Sequence, residues 1–302
     1  MIAATANRTH RLSPARRRDA IFALTLVLPG LAWFLAFNAY PAAYSFWISF
    51  HDYKLIGPSP FVGFKNYVRV FSDPVVLIAL RNTLVYALIS VSGQLVAGLS
   101  LALLVNQPFK FAKPFRVIYY FPVVASWVVV SLIFSFLFHS EGLVNYIFSD
   151  LLRLYPAHRA WLNDAATALV AISILGIWKG AGWSMLIYLA ALQGIPIELE
   201  EAARVDGAGP WHVTRFVTIP MLRPTTMFIT VMLTIGAFQA FIQFFIMTAG
   251  GPNHQTEVFL SYMYNQAFTF LDFGYSSAIA FVLAVLIVAI SFIQMRYFRD
   301  RS

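Results

Sequence analysis

Two sets of side chains in this sequence are placed to do chemistry, and that chemistry is hydrogen bonding and docking. The first lies between Gly194 and Pro224, where Glu198, Glu200, Glu201, Arg204 and Asp206 interrupt two strongly apolar runs. Carboxylates on a short helix can hold a partner's basic groups through charge-assisted hydrogen bonds. Ala202 and Ala203 are small enough to let that partner approach, while Leu199, Val205 and Trp211 offer apolar anchors for a groove. The second set is scattered through the apolar runs themselves: Asn82, Gln94, Ser126, Lys179, Ser184, Gln239 and Gln243, with Trp127, Trp178 and Trp183 beside them. Polar groups in such segments are costly unless they pair with one another or line a wet cavity.

Each member of the second set also has a structural reading. Ser126 and Ser184 can satisfy a backbone carbonyl or pack between helices, and Asn82 and Gln94 can join one helix to another. Tryptophans often mark membrane interfaces. Gln239 and Gln243 are four residues apart, which places them on one face of a continuous helix, and they form the strongest candidate pair. Lys179 is the one cation deep in an apolar run; it can meet an anionic solute or make a structural pairing.

Catalytic constellations are absent from the sequence. None of the five lysines follows a phosphate-cradling glycine loop, so this chain is not expected to hydrolyse ATP. There is no H-E-x-x-H helix and no G-x-S-x-G elbow, and the six histidines are dispersed. The lack of cysteine removes disulfides, thiolate metal sites and a cysteine nucleophile.

The elements that must position these groups are set by composition. Of 302 residues, 60% are hydrophobic and only 11% charged, against about 25% charged in an ordinary soluble domain. Runs of about 20 apolar residues are long enough to cross a bilayer as helices. Six occur, at approximately 20–48, 78–106, 115–138, 166–192, 225–248 and 276–297. The first follows an arginine-rich tail over 1–19, exceeds a cleavable signal's apolar core of roughly 7–15 residues, and reads as an uncleaved anchor. Prolines at 29, 41 and 122 fall inside these runs and can kink them.

The net charge of +8 is not gathered into a nucleic-acid-binding face; the basic residues bracket the runs. Fourteen of the 21 lysines and arginines, including Arg8, Arg11, Lys110, Arg204, Arg215, Arg223, Arg296 and Arg301, fall on one side of the six-span arrangement. The positive-inside rule makes that side cytoplasmic, together with both termini, the short tail 299–302 and the 194–224 loop. Pro196 and the early glutamates predict a helix start in that loop, Gly207 and Gly209 its end, and Pro210 a second short helix that Pro220 stops. A short interfacial helix is expected over 145–155.

The segment Glu200-Glu201-Ala202-Ala203-Arg204-Val205-Asp206-Gly207-Ala208, with Val217, Ile219, Pro220 and Pro224 downstream, resembles the Glu-Ala-Ala loop of ABC importer permeases. The family's order is E-A-A, three residues, G, nine residues, then I-x-L-P, and here Val217 and Ile219 are conservative departures. Further stretches resemble the first of the two paired subunits of carbohydrate-type permeases. These are Phe61-Val62-Gly63-Phe64-Lys65-Asn66-Tyr67, Thr248-Ala249-Gly250-Gly251-Pro252 with Thr256-Glu257-Val258, and Asp272-Phe273-Gly274-Tyr275. Ile242 stands where many members carry an aspartate.

The resemblance implies an all-α membrane protein of six transmembrane helices with a cytoplasmic coupling loop, in the bacterial inner membrane. It implies a transport subunit for a sugar, with a glycerol 3-phosphate or polyol importer as an alternative within the class, and without catalysis or metal of its own. The partners implied are a second permease, two cytoplasmic ATPase subunits that would bind ATP and magnesium, and an extracytoplasmic binding protein. Leu199, Glu201, Ala202, Ala203, Asp206, Gly207 and Trp211 would contact the ATPase. Gln239, Gln243, Gln94, Asn82, Ser126, Trp183 and Lys179 would be the pathway candidates, with Trp127, Trp178 and Trp183 available to stack on sugar rings. An ion-driven secondary carrier is the competing class, and it would need midplane carboxylates that the sequence does not supply.

Overall fold

The computed structural model describes residues 14–54, 56–107 and 112–299. The tail segments 1–13 and 300–302, with Arg8, Arg11 and Arg301, and Lys110 between the second and third apolar runs lie outside the described residues. Helices carry the fold, and among the described residues only two isolated bridges, His51 with Phe61 and Lys54 with Asp272, break that pattern.

The chain begins with α1 (Pro14–Phe34), which passes through a widened π turn at Leu35–Ala39 into α2 (Tyr40–Ile48). A short amphipathic α3 (Lys65–Ser72) leads to α4 (Pro74–Asn106), whose start is capped by the Asp73 carboxylate accepting from Val75 N at 2.9 Å. α5 (Ala112–Val124) and α6 (Trp127–Leu137) form one span bent by 96°. α7 (Leu143–Asn145) opens a long loop, and α8 (Ala165–Leu192) begins at Asp164, which accepts from Ala166 N and Thr167 N. α9 (Ile197–Val205), α10 (Pro210–Val213) and α11 (Ile219–Met221) make the charged loop. α12 (Arg223–Phe238), α13 (Ile242–Met247), α14 (Phe259–Tyr264) and α15 (Phe273–Arg299) complete the bundle.

Among the described residues four helices are long and apolar enough to cross a membrane, and counting each of the two bent pairs as one span raises the number to six. Two sequence expectations need correction. Pro220 does not stop the second loop helix: a π turn at Thr214–Thr218 precedes it, Pro220 falls at the second position of α11, and the bend of 64° comes after Met221. Over 145–155 the helical segment is shorter than expected and wider: α7 passes directly into a π turn at Tyr146–Leu151, which takes its side chains off α-helical spacing.

The centre of the molecule is the pairing of α4 with α8, which run parallel. Gly176 lies against Tyr86 and Ser90, Gly180 against Gln94, and Gly98 against Ser184. A Cβ at any of these would overlap its neighbour, so small residues let the two helices approach where lipid gives no hydrophobic drive for association. α5 joins the same seam at Gly182, where an added Cβ would meet the backbone of Tyr119 and Tyr120.

At the Asp73 end of α4, loops are tied to helices by side chains. Asn82 Nδ2 donates to the carbonyls of Gln255 and Glu257 at 2.7 and 2.9 Å, and Phe259 N donates to Thr83 Oγ1 at 3.1 Å. Glu257 is 1% exposed and accepts from Ser261 Oγ and Asn265 Nδ2, with His254 Nδ1 3.0 Å away. Tyr262 and Tyr275 both donate to Asp73 Oδ2, at 2.6 and 2.7 Å, so one carboxylate joins α4, α14 and α15.

Partial burial pushes the Asp73 carboxyl up, but bonds from Tyr262, Tyr275 and the amides of Val75 and Val76 outweigh it and hold it below its ordinary value. A depressed acid contributes stability above its unfolded pKa and loses it as pH falls through the native one. The protection of the α14 amides, measured relative to intrinsic exchange at each pH, is therefore expected to stay flat from neutral pH down to about 4 and fall below it. Protection that falls between neutrality and about pH 5 instead would place the sensitive group elsewhere.

Candidate functional site

Halfway along α4 and α8 the bundle opens into a cleft of about 290 Å³. Its walls come from Tyr86, Ser90 and Gln94 of α4, Trp127 of α6, and Gly176 and Gly180 of α8. The interruption between α12 and α13 adds Gly236, Gln239, Phe241, Ile242 and Gln243. Two broken spans therefore meet this cavity. Irregular backbone is tolerated at membrane depth only where protein or a wet cavity satisfies it.

The polar groups are organised as a short chain. Gln94 Nε2 donates to Ser90 Oγ at 2.8 Å, and Gln243 Nε2 donates to the Tyr86 hydroxyl at 3.1 Å. Each glutamine thereby keeps an oxygen and part of its amide available to a ligand. Gln239 is exposed at the end of α12. The helix-face argument for Gln239 and Gln243 needs correction: the helix ends at Phe238, Phe241 departs from helical geometry with φ −138° and ψ −61°, and α13 starts afresh at Ile242. The two residues still line one cleft, brought there by the break itself.

The remaining pathway candidates go elsewhere. Asn82 is occupied with the Gln255–Glu257 loop, as above. Trp183 packs, partly buried, against the cluster that contains Met185, Leu189 and Leu222, toward the Leu192 end of α8. Ser126 is exposed and sits just before α6, with its hydroxyl making no cap. Ser184 is buried against Gly98, its Oγ without a partner among the described residues. Lys179 is buried, with only 4% exposed, and turns its ammonium to the carbonyls of Pro122, Val123 and Ala125 at 2.9, 3.1 and 2.7 Å. No acidic or basic side chain lines the cleft.

Sequence reasoning missed the glycines. Gly176-Ile177-Trp178-Lys179-Gly180 is a G-x-x-x-G pattern, a signal for close helix approach that was there to be read. Gly180 does double service, since its missing side chain is the space that Gln94 occupies.

At the opposite end of α8, the charged loop presents an open surface. α9 buries no residue, and Glu201 is exposed without a partner among the described residues. Glu200 is engaged, being 3.4 Å from Arg204 Nη2 and from Thr218 Oγ1. Val205 is 87% exposed and Trp211 69%, with Leu199 also exposed, so apolar anchors flank the carboxylate. The helix closes in a Schellman geometry: Ala208 N donates to Ala203 O at 2.9 Å and Gly207 N to Arg204 O at 3.0 Å. Gly207 has φ +86°, a left-handed conformation that glycine adopts without a Cβ penalty. Asp206 caps the helix end, exposed beside it, as are Glu201 and Ala202, while Ala203 is half-buried.

Residues 94–301, more than two thirds of the chain, match the profile of the binding-protein-dependent transport system inner membrane component family. The chain belongs to that family. Its relatives extend the match over nearly the whole length. It is 36% identical over 289 residues to the sulfoquinovosyl glycerol transport system permease protein SmoG of Agrobacterium fabrum, covering 94% of this chain and 92% of that one. It is 34% identical over 282 residues to the lactose transport system permease protein LacF of Rhizobium radiobacter, covering 91% and 93%.

The fold is likewise that of an importer subunit. A chain in the crystal structure of a bacterial alginate ABC transporter, in complex with an alginate pentasaccharide-bound periplasmic protein, superposes with a TM-score of 0.81 at 25% identity. That match covers 94% of this permease and 96% of the other chain.

Proposed function

We propose that this permease forms one half of the pathway of an ATP-driven importer for an uncharged sugar. The observation that carries this reading is the cleft. Three glutamines and a tyrosine hydroxyl offer donors and acceptors, Trp127 and Phe241 offer ring faces, and charged side chains are missing from the lining. Hydroxyl-rich, neutral rings match that set through hydrogen bonds and apolar contact. The relatives' names, lactose among them, support a sugar. An anionic substrate such as glycerol 3-phosphate would need a cation that this half does not offer, since Lys179 is spent on carbonyls. A secondary carrier would need a coupling carboxylate in the cleft.

The partners follow from uncovered surfaces. The first span, Phe22–Ile48, is wholly uncovered within this chain over its most apolar stretch, which suits a helix packed on a second permease. The α9 surface suits an ATPase subunit that binds ATP and its magnesium; two such subunits and an extracytoplasmic binding protein would complete the assembly. Arg204, Arg215, Arg223, Arg296 and Arg299 share the α9 end of the bundle, which supports a cytoplasmic location for that loop and for both termini.

The test is uptake by the whole complex, reconstituted in vesicles with its binding protein. Neutral disaccharide uptake that requires internal ATP is the expected result. Uptake that runs on an ion gradient without ATP, or that selects glycerol 3-phosphate over every neutral sugar, would overturn the reading.

A further inference from the structure

The bend between α5 and α6 is an expensive place to leave a backbone. α5 ends at Val124, so its last carbonyls have no partner within the helix, and the bend falls inside a span apolar enough to cross a membrane. Pro122 adds to the interruption by removing an amide donor. Lys179 supplies what is missing. Its ammonium has three N–H donors and meets three carbonyls, those of Pro122, Val123 and Ala125, between 2.7 and 3.1 Å. Those carbonyls form the negative end of the α5 dipole, which favours a cation there. Among the described residues no carboxylate forms an ion pair with Lys179.

The same ammonium lies 4.9 Å from the centre of the Trp127 ring, and Trp127 lines the cleft from the first turn of α6. One nitrogen on α8 thus touches the end of α5, the bend itself and the first aromatic beyond it. Gly182, one turn along α8, brings the α5 backbone close enough for this to happen. We propose that Lys179 is a positioning residue: it fixes the bend between α5 and α6 and so sets where Trp127 stands in the cleft. A cation aimed at solute would face the cavity; this one faces the peptide groups behind it.

The experiment uses the assembled importer and exploits the cysteine-free sequence. Nitroxide labels at Phe121→Cys on α5 and Val129→Cys on α6, both exposed positions, report the distance across the bend by pulsed spin resonance. With Lys179 present the distribution is expected to be narrow; in Lys179→Met it is expected to broaden and shift.

In ATP-driven uptake, Lys179→Met and Trp127→Ala are each expected to raise the half-saturating sugar concentration about ten-fold, the worth of one aromatic contact. The double variant is expected to be no worse than either, because both remove the same ring from its place. An unchanged distance distribution, or effects that multiply to about a hundred-fold, would overturn the proposal. Should Lys179→Met not assemble, Lys179→Gln, which keeps two donors, is read in the same two assays. The uptake arm rests on the sugar-importer reading and the distance arm does not, so the two can fail separately.

Discussion

Gly180→Val is expected to cut sugar uptake by up to about a hundred-fold while leaving the permease assembled in the membrane. A Cβ at this position overlaps the carboxamide of Gln94, which is the far end of a flexible side chain and can swing aside. Swinging aside breaks its bond to Ser90 and fills the cleft from two directions. Overpacking of this kind costs about 1–3 kcal/mol. With the cleft as the proposed substrate site, the upper figure corresponds to a loss of about a hundred-fold in transport.

The control is two residues away. At Gly182 the added Cβ meets the Tyr119 and Tyr120 backbone, which has nowhere to go, so Gly182→Val is expected to remove the folded chain itself. Labelled-sugar uptake read beside membrane abundance and the melting temperature of the purified complex separates the two outcomes. Wild-type uptake by Gly180→Val would show that the cleft is not on the substrate's route.

On the proposed assembly, Glu201→Lys is expected to uncouple the permease from the ATPase subunit without touching its stability. The side chain is exposed and makes no bond within the described chain, so its removal is expected to change folding by less than about 0.5 kcal/mol. If a basic group of the ATPase meets it, charge reversal replaces a charge-assisted bond by repulsion. That is worth several kcal/mol, and uptake should fall by about a hundred-fold or more. Glu201→Gln keeps an acceptor and loses the charge, and an effect nearer ten-fold is expected. Co-purification of the ATPase with each variant is the direct measurement. Glu201→Lys that retains its ATPase and transports normally would remove α9 as the docking site. Glu200 is the contrasting neighbour, since its bonds to Arg204 and Thr218 make any effect there a structural one.

How much of this could be read from the chain alone depends on the range of the forces involved. The all-α membrane class was legible because bilayer thickness imposes a length on every apolar run, and composition reports it directly. The left-handed Gly207 was legible because cap geometry is local. The fate of Lys179 was not. Its three acceptors lie more than fifty residues away in sequence, and they are backbone carbonyls, which every residue possesses. Gln239 and Gln243 failed as a helix face for a related reason. The break at Phe241 carries no proline or glycine to announce it, and only the packing of the bundle creates it. Asn82 looked like a pathway residue because an amide in an apolar run has no visible partner until the Gln255–Glu257 loop folds over it.

The glycine seam between α4 and α8 has a mechanical meaning. Two helices locked along their length bend far less than one, so the pair behaves as a lever arm. From Gly180 to Leu192 is about 18 Å of helix at 1.5 Å per residue, and α9 begins five residues further on. A push on α9 that tilts this arm by about ten degrees would displace the cleft wall by about 3 Å over that length, comparable to the reach of a hydrogen bond. Residues chosen for having no side chain would then be what gives the stroke its stiffness.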